Sequence, residues 1–259
     1  MQKEDMMQDG GTVRLEIEER AEGPVAHLII DHTRRRNAIG PAVIAALTER
    51  CAEIAAREDV RLVVLQGEGA IFAAGANVKV MAGLSPDEAR AFITSLHKAI
   101  DAVRCLPVPV IAKIRGHCVG AAMELVAACD MRAADTTLIA GMPEVRVGIP
   151  SVIEANLLPR LIGWGRMSEL LLTGRDIDAE EARSIGLIET LTSPEELDGA
   201  LEAWIGQILA CEPAAIRAQK AVMLGWNPDA QAGLDASIEA YARTYTTGAP
   251  ARAMAHFVK

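Results

Sequence analysis

Segment 107–130, PVPVIAKIRGHCVGAAMELVAACD, restricts the fold more than any other part of the chain. It begins with a Val/Ile-rich run bounded by proline and glycine, the pattern of a strand buried on both faces. From Val119 to Cys129 every residue except Glu124 is Ala, Val, Leu, Met, Cys or Gly. A helix that apolar and that small must also be buried. A buried strand leading into a buried helix, one step in a strand–helix alternation, suggests an α/β domain. It also leaves one charge to explain, because a buried carboxylate is costly unless paired, hydrogen-bonded or protonated.

Two readings of Glu124 follow. A helix starting near Val119 or Gly120 has first amides without intrahelical partners, at the positive end of its dipole. Gly120, Ala121 and Ala122 would let a ligand atom approach that backbone. Glu124, three residues after Ala121, shares its face one turn on. The segment could then hold an amide donor and a carboxylate beside one ligand. Alternatively, an Ala/Gly helix packs on a sheet and Glu124 pairs with an arginine.

The flanking sequence agrees with an α/β chain. TVRLEIEE alternates as a half-buried strand, and PVAHLIID follows a Gly-Pro break as its hairpin partner. Residues 40–57 have helical periodicity with Pro41 near the start, and VRLVVLQG reads as a buried strand. Ser85, Pro86 and Glu88 form a capping-box pattern for a helix over 85–105. Shorter strands are expected near 128–133 and 137–140. Beyond Ser151 the chain reads as mostly helical, with a short strand near 187–191. SPEEL at 193–197 starts another helix, and 201–259 is helical to the end. Residues 1–11, polar and acidic, read as a disordered tail.

Aromatics are only 3% of the 259 residues, so Ala, Val, Ile and Leu must build the core. The net charge of −9 argues against a nucleic-acid partner. It leaves room for a local basic pocket. Five cysteines without C-x-x-C spacing suggest free thiols in a reducing compartment and no metal site. With no apolar stretch long enough to span a bilayer and no signal or transit pattern, a cytoplasmic protein without membrane association is expected.

Two further stretches add chemistry. IFAAGANVKVM, residues 71–81, follows a buried strand and centres on Gly75 and Ala76. Its amides and those near Ala121 could converge on one oxygen. The common alternative is a plain turn. GMPEVRVGIP, residues 141–150, carries Glu144. Two carboxylates in different environments can divide acid and base roles, although spacing alone leaves Glu144 open to being a turn or helix-start residue.

Taken in order, these stretches resemble the crotonase (enoyl-CoA hydratase/isomerase) superfamily. LLLTGRDIDAEEARSIGLI at 170–188 and DHTRRRNAIG at 31–40 extend the resemblance from about residue 12 to the C-terminus. It implies the α/β crotonase (ClpP-like) spiral of ββα units with a C-terminal helical region. The core would be 1–200, with 201–259 a helical trimerisation region. It implies a homotrimer, paired into a dimer of trimers, and an acyl-CoA thioester substrate, with CoA part of the substrate and no separate cofactor. The Ala76 and Ala121 amides match the family's oxyanion-hole positions, and Glu124 and Glu144 its two hydratase carboxylates. Ala74, Asn77, Val78, Lys79 and Gly120 fall where the family binds its substrate. Arg34, Arg35 and Arg36 could face the CoA phosphates or be a solvated basic turn, and Lys259 is a further phosphate candidate.

Three departures stand out. The family's Gly-Gly-Gly is Gly120-Ala121-Ala122, its usual aspartate is Asn77, and a glutamine common before Pro-Glu is Met142. Met142 is expected to make the acyl pocket more apolar. The reaction implied is hydration of a 2-enoyl-CoA. A Δ3–Δ2 enoyl-CoA isomerase or a thioester hydrolase is the alternative. A non-catalytic CoA-ester-binding protein is a different class again, as is the RNA binding of some relatives, which the acidic charge disfavours.

Overall fold

The computed structural model describes residues 10–226 and 233–258. Strand β1 (Thr12–Glu18) pairs antiparallel with β2 (Val25–Asp31), and β3 (Leu62–Gly67), β4 (Val110–Ile114), β6 (Met131–Asp135) and β9 (Thr190–Thr192) add in parallel, in the order β1-β2-β3-β4-β6-β9. Leu62, Val63, Val64 and Leu65 are all buried, which explains the unbroken apolar run of β3. A second sheet orders β5 (His117–Val119), β7 (Ile139–Gly141) and β8 (Asp176–Asp178).

The two sheets are filled by one repeating path. A strand is laid in the large sheet, the chain bends, a short extended piece joins the small sheet, and a helix returns. β4, β5 and α4 (Ala121–Ala127) make one such turn. β3, the Ala73 bridge to Cys118, and the helices α2 (Val78–Met81) and α3 (Pro86–Arg104) make the one before. The bend at Gly116 splits what reads as one strand through residue 116 into β4 and β5. Its φ is +54°, and an added Cβ would lie 2.6 Å from the Ala70 carbonyl oxygen.

Helix α1 (Pro41–Ala55) buries Val43, Ile44, Leu47, Cys51 and Ile54 against the sheet. The capping box holds: Ser85 Oγ accepts from the Glu88 amide, and the Glu88 carboxylate from the Ser85 amide. The C-terminal part is helical, with α5 (Leu158–Thr173), α6 (Ala179–Ser184), α7 (Leu197–Leu209), α8 (Pro213–Gly225), α9 (Leu234–Thr244) and α10 (Ala249–Met254).

Two expectations change. β8, DID, is absent from the sequence reading because its alternation, with only Ile177 buried, is too short to stand out. Gly11, expected in a tail over 1–11, is instead buried, where a Cβ would lie 2.7 Å from Val43. Residues 1–9 lie outside the described residues, as does part of the helical stretch, 227–232. Among the described residues no helix is long and apolar enough to cross a membrane.

Candidate active site

Two adjacent turns of the spiral reach the site in matched register. Ala73 pairs with Cys118 in a parallel bridge, with Ala73 N–H donating to the His117 carbonyl at 3.0 Å. Two residues further each segment has a glycine at positive φ, Gly75 at +82° and Gly120 at +57°. The next residues are Ala76 and Ala121. Neighbouring strands lie about 4.8 Å apart, so this register sets the two amides side by side. Ile39 uses the groups flanking Ala76: its N–H donates to the Gly75 carbonyl, and its own carbonyl accepts from Asn77 N–H. Strand alternation therefore aims the Ala76 N–H away from Ile39. Ala121 opens α4, where first-turn amides have no intrahelical acceptor. Neither amide donates to a backbone acceptor among the described residues, and both residues line one cavity.

The glycines are required by contact as well as by conformation. A Cβ on Gly75 would lie 2.7 Å from the Val119 carbonyl oxygen, and one on Gly120 2.6 Å from Glu144 Oε1. Glu144 comes to this place because β7 runs parallel to β5 with Gly141 opposite Val119. Pro143 then starts a 3-10 turn over Pro143–Val147 and turns Glu144 toward Gly120.

The cavity is about 520 Å³ and mostly apolar, with Met81, Phe92, Ile93, Leu96 and Val152 in its wall. Glu124 and Glu144 both line it. Glu124 is 4% exposed, and its Oε1 accepts from the Ala155 amide at 3.1 Å. Burial holds its carboxyl well above the usual carboxylate range, the negative charges of Glu144 and Glu154 add to this, and the Ala155 amide opposes it. Burial also raises Glu144, against its own amide and Ser151, whose Oγ donates to Glu144 Oε2 at 3.0 Å. Both carboxyls are thus shifted in the same direction, and two such groups on one cavity titrate as a pair. The arginine pairing open to Glu124 from its sequence is absent among the described residues.

Sequence reasoning missed Ser151, Ala155 and Tyr241. Tyr241 reaches the cavity from α9, is 1% exposed, and donates its hydroxyl to Met81 Sδ at 3.4 Å. Burial raises its phenol well above its ordinary value, and the Tyr245 hydroxyl and the two glutamates push the same way. An apolar helix face is the only signal such a residue leaves in the chain.

The cavity gathers Ala74, Ala76, Val78, Gly120, Ala121, Glu124, Glu144 and Arg36 of the expected residues. It does not include Arg34, Asn77, Lys79 or Met142. Arg34 lies exposed in the turn Thr33–Arg35, whereas Arg36 enters a left-handed conformation and turns to the cavity. Beside it the wholly buried Asn37 pins the loop by donating to the carbonyls of Glu68, Ile71 and Phe72. Asn77 caps α2, its Oδ1 accepting from the Lys79 amide at 3.1 Å. A neutral amide does that as well as a carboxylate, which accounts for one departure. Lys79, one position past Val78, falls on another face of the single helical turn. Met142 is wholly buried in the core, so the expected acyl-pocket contact is not made. Of the two added methyls, Ala121's borders the cavity and Ala122's is buried in the core. Lys259 lies outside the described residues.

Arg36 and Arg146 bring positive charge to the cavity of an acidic protein, and His117 and His256 also line it. Burial and then Arg36 lower the pKa of His117. No group of three or more His, Cys, Asp or Glu suited to a metal occurs among the described residues.

The family model described as Enoyl-CoA hydratase/isomerase matches residues 20–258. A crotonyl-CoA hydratase of Syntrophomonas wolfei is 31% identical over 241 residues, covering 92% of this chain and 93% of the relative. An enoyl-CoA isomerase/hydratase, fer4, of Mycosarcoma maydis is 32% identical over 223 residues, covering 82% and 81%. The crystal structure of an enoyl-CoA hydratase/carnithine racemase from Magnetospirillum magneticum superposes with a TM-score of 0.79 at 30% identity, covering 87% of this chain and 85% of that one. With the ββα spiral and its helical C-terminal part, these matches place the chain in the enoyl-CoA hydratase/isomerase family, the crotonase superfamily.

Proposed function

We propose that this enzyme adds water across the double bond of a 2-enoyl-CoA thioester. The observation that carries the reading is the pair of carboxyls, buried Glu124 and half-buried Glu144, on the cavity lined by Ala76 and Ala121. Attack of water on Cβ drives negative charge onto the thioester oxygen. Two fixed amides stabilise that charge without reorganising, and one such donor is typically worth about 10²–10³ in rate.

The two glutamates have different tasks by position. Glu144 lies against Gly120, beside the Ala121 amide and hence beside the carbon next to the thioester carbonyl. Its proton goes to Cα. Glu124 is one helical turn further, toward Cβ, where it takes a proton as the water oxygen bonds to carbon. The product gains one water, and the proton left on Glu124 restores the pair. The cationic groups of the cavity, Arg36 first, suit the CoA phosphates.

The test is a panel of crotonyl-CoA and longer 2-enoyl esters, read as loss of enone absorbance, beside 3-enoyl esters. Hydration of a 2-enoyl ester supports the reading. Conversion of a 3-enoyl ester without hydration makes the enzyme an isomerase, CoA release makes it a thioester hydrolase, and binding without turnover makes it a non-catalytic CoA-ester-binding protein.

A further inference from the structure

Behind Glu124 lies a second buried acid that the proposed reaction does not use. Glu154 is 4% exposed, in the 3-10 turn Ile153–Leu157. Its Oε1 is 2.6 Å from Nδ1 of His97, a side chain of α3 with 12% exposure. Its other oxygen, Oε2, is buried and has no hydrogen-bond partner among the described residues. The next residue in the chain is Ala155, whose amide holds Glu124 Oε1. The residue before is Ile153, a β-branched side chain at φ +36°, a conformation such residues rarely hold without tight surroundings. One strained turn therefore presents both a hydrogen bond and a negative charge to the same catalytic carboxyl.

We propose that His97 and Glu154 are positioning residues for Glu124, an ion pair whose negative end keeps one proton on the Glu124–Glu144 pair. The argument rests on the hydratase reading and on charge counting. Glu144 and Glu154 both oppose ionisation of Glu124, so full ionisation of the three carboxyls is disfavoured. His97 offsets one of them, Glu154. The remaining two then hold a single proton, the state in which one can act as acid and the other as base. The hydrogen bond to Glu154 raises the proton affinity of His97, the direction that favours a charged imidazole.

The groups facing this cluster push both ways: burial raises the Glu154 carboxyl, His97 opposes that, and Asp101 adds to it. From the turn Pro143–Val147 comes Glu144, which adds to the negative potential at Glu124. From α9 comes Tyr241, a neutral phenol. From α3, beyond His97, Asp101 favours its charged form and Arg104 opposes it, and these two are themselves paired at 2.6 Å. α5 contributes only apolar buried side chains: Leu158, Ile162, Met167 and Leu170.

The test compares Glu154→Gln and the double variant His97→Asn/Glu154→Gln with the wild type. The double variant keeps an amide-to-amide hydrogen bond across the same gap and carries the test if the single variant folds poorly. Removing the negative charge lowers the proton affinity of Glu124. The alkaline limb of the kcat profile for 2-enoyl-CoA hydration should move to lower pH, on the order of one pH unit in Glu154→Gln and by less in the double variant, which removes the imidazolium as well. KM should stay within about twofold, since neither residue lines the cavity. An unmoved limb with only reduced stability or kcat would make the pair a structural strut and overturn the proposal, as would a limb moved upward. Infrared titration of the protein alone separates this from the hydratase reading. The protonated-carboxyl band should persist to higher pH in the wild type than in both variants, whatever substrate is turned over. Identical bands overturn the proposal, even if hydration is observed.

Discussion

Gly120→Ala should disable the site while sparing the fold. Gly120 has φ +57° and ψ −127°, a region open essentially only to glycine, so an alanine costs about 1–3 kcal/mol in backbone strain. The new Cβ would lie 2.6 Å from Glu144 Oε1, and ordinary contact begins at 3.4 Å. The carboxylate must retreat by about 0.8 Å, the difference of those distances, and a misplacement near 1 Å can cost about 100-fold in rate. Relief by rotating the backbone instead turns the Ala121 amide, a donor worth about 10²–10³. Either route predicts a kcat at least about 100-fold lower, measured as enone loss on the best 2-enoyl-CoA. The melting temperature should fall by roughly 2–12 °C. Gly199→Ala is the control. It is helical, a Cβ there meets nothing within 4 Å, and it should leave kcat unchanged and stabilise α7 slightly. Wild-type kcat in Gly120→Ala would refute the steric and conformational argument together.

Other outcomes follow from the same site. Glu124→Gln and Glu144→Gln should each lower hydration by orders of magnitude while CoA-ester binding, read by calorimetry, persists. Glu124→Gln should also be more stable than wild type near neutral pH. Glu124's folded pKa is raised, so its native form binds the proton more tightly than the unfolded chain. Stability therefore falls by about 1.4 kcal/mol per pH unit as pH rises from the ordinary carboxylate range to that raised value, and the variant removes this slope. Equal denaturation midpoints across that window would contradict the burial argument. Gly75→Ala drives a Cβ to 2.7 Å from the Val119 carbonyl oxygen and should separate the two amides, lowering kcat more than it raises KM. If the homotrimer implied by the family resemblance forms, light scattering should give three times the 27.6 kDa chain mass, or six. The exposed Val222, Met223 and Trp226 at the end of α8 should then become protected from solvent, which hydrogen exchange in that helix reads.

Much of the fold was legible because its signals are local. The buried runs of β3 and β4, the Ser85 capping box and the small-residue helix α4 each announce themselves within a dozen residues. Glu124 and Glu144 were legible as an incongruity: charges in apolar surroundings that ordered motifs tied to a family. What stayed hidden depends on contacts across the chain. His97 meets Glu154 over a separation of 57 residues, and Tyr241 meets Met81 over 160. Neither pairing has a periodicity. Met142 failed differently. Its place beside Pro143-Glu144 was read correctly, but which way a side chain turns at such a corner is set by the packing behind it. The three arginines of the 33–35 turn and its cap show the same limit, since only the left-handed step at Arg36 sends one to the cavity.

The bridge between Ala73 and Cys118 has a consequence for how such a protein can change. Because Ala76 and Ala121 stand three residues beyond a paired position, their separation is a lattice constant of the small sheet, not a property of the loops around it. Insertions after α2, or new side chains on α3 and α9, can rebuild the acyl wall without touching that ruler. The part of the site proposed to steady an enolate is thus inherited with the sheet. The part that chooses an acyl group is free to drift.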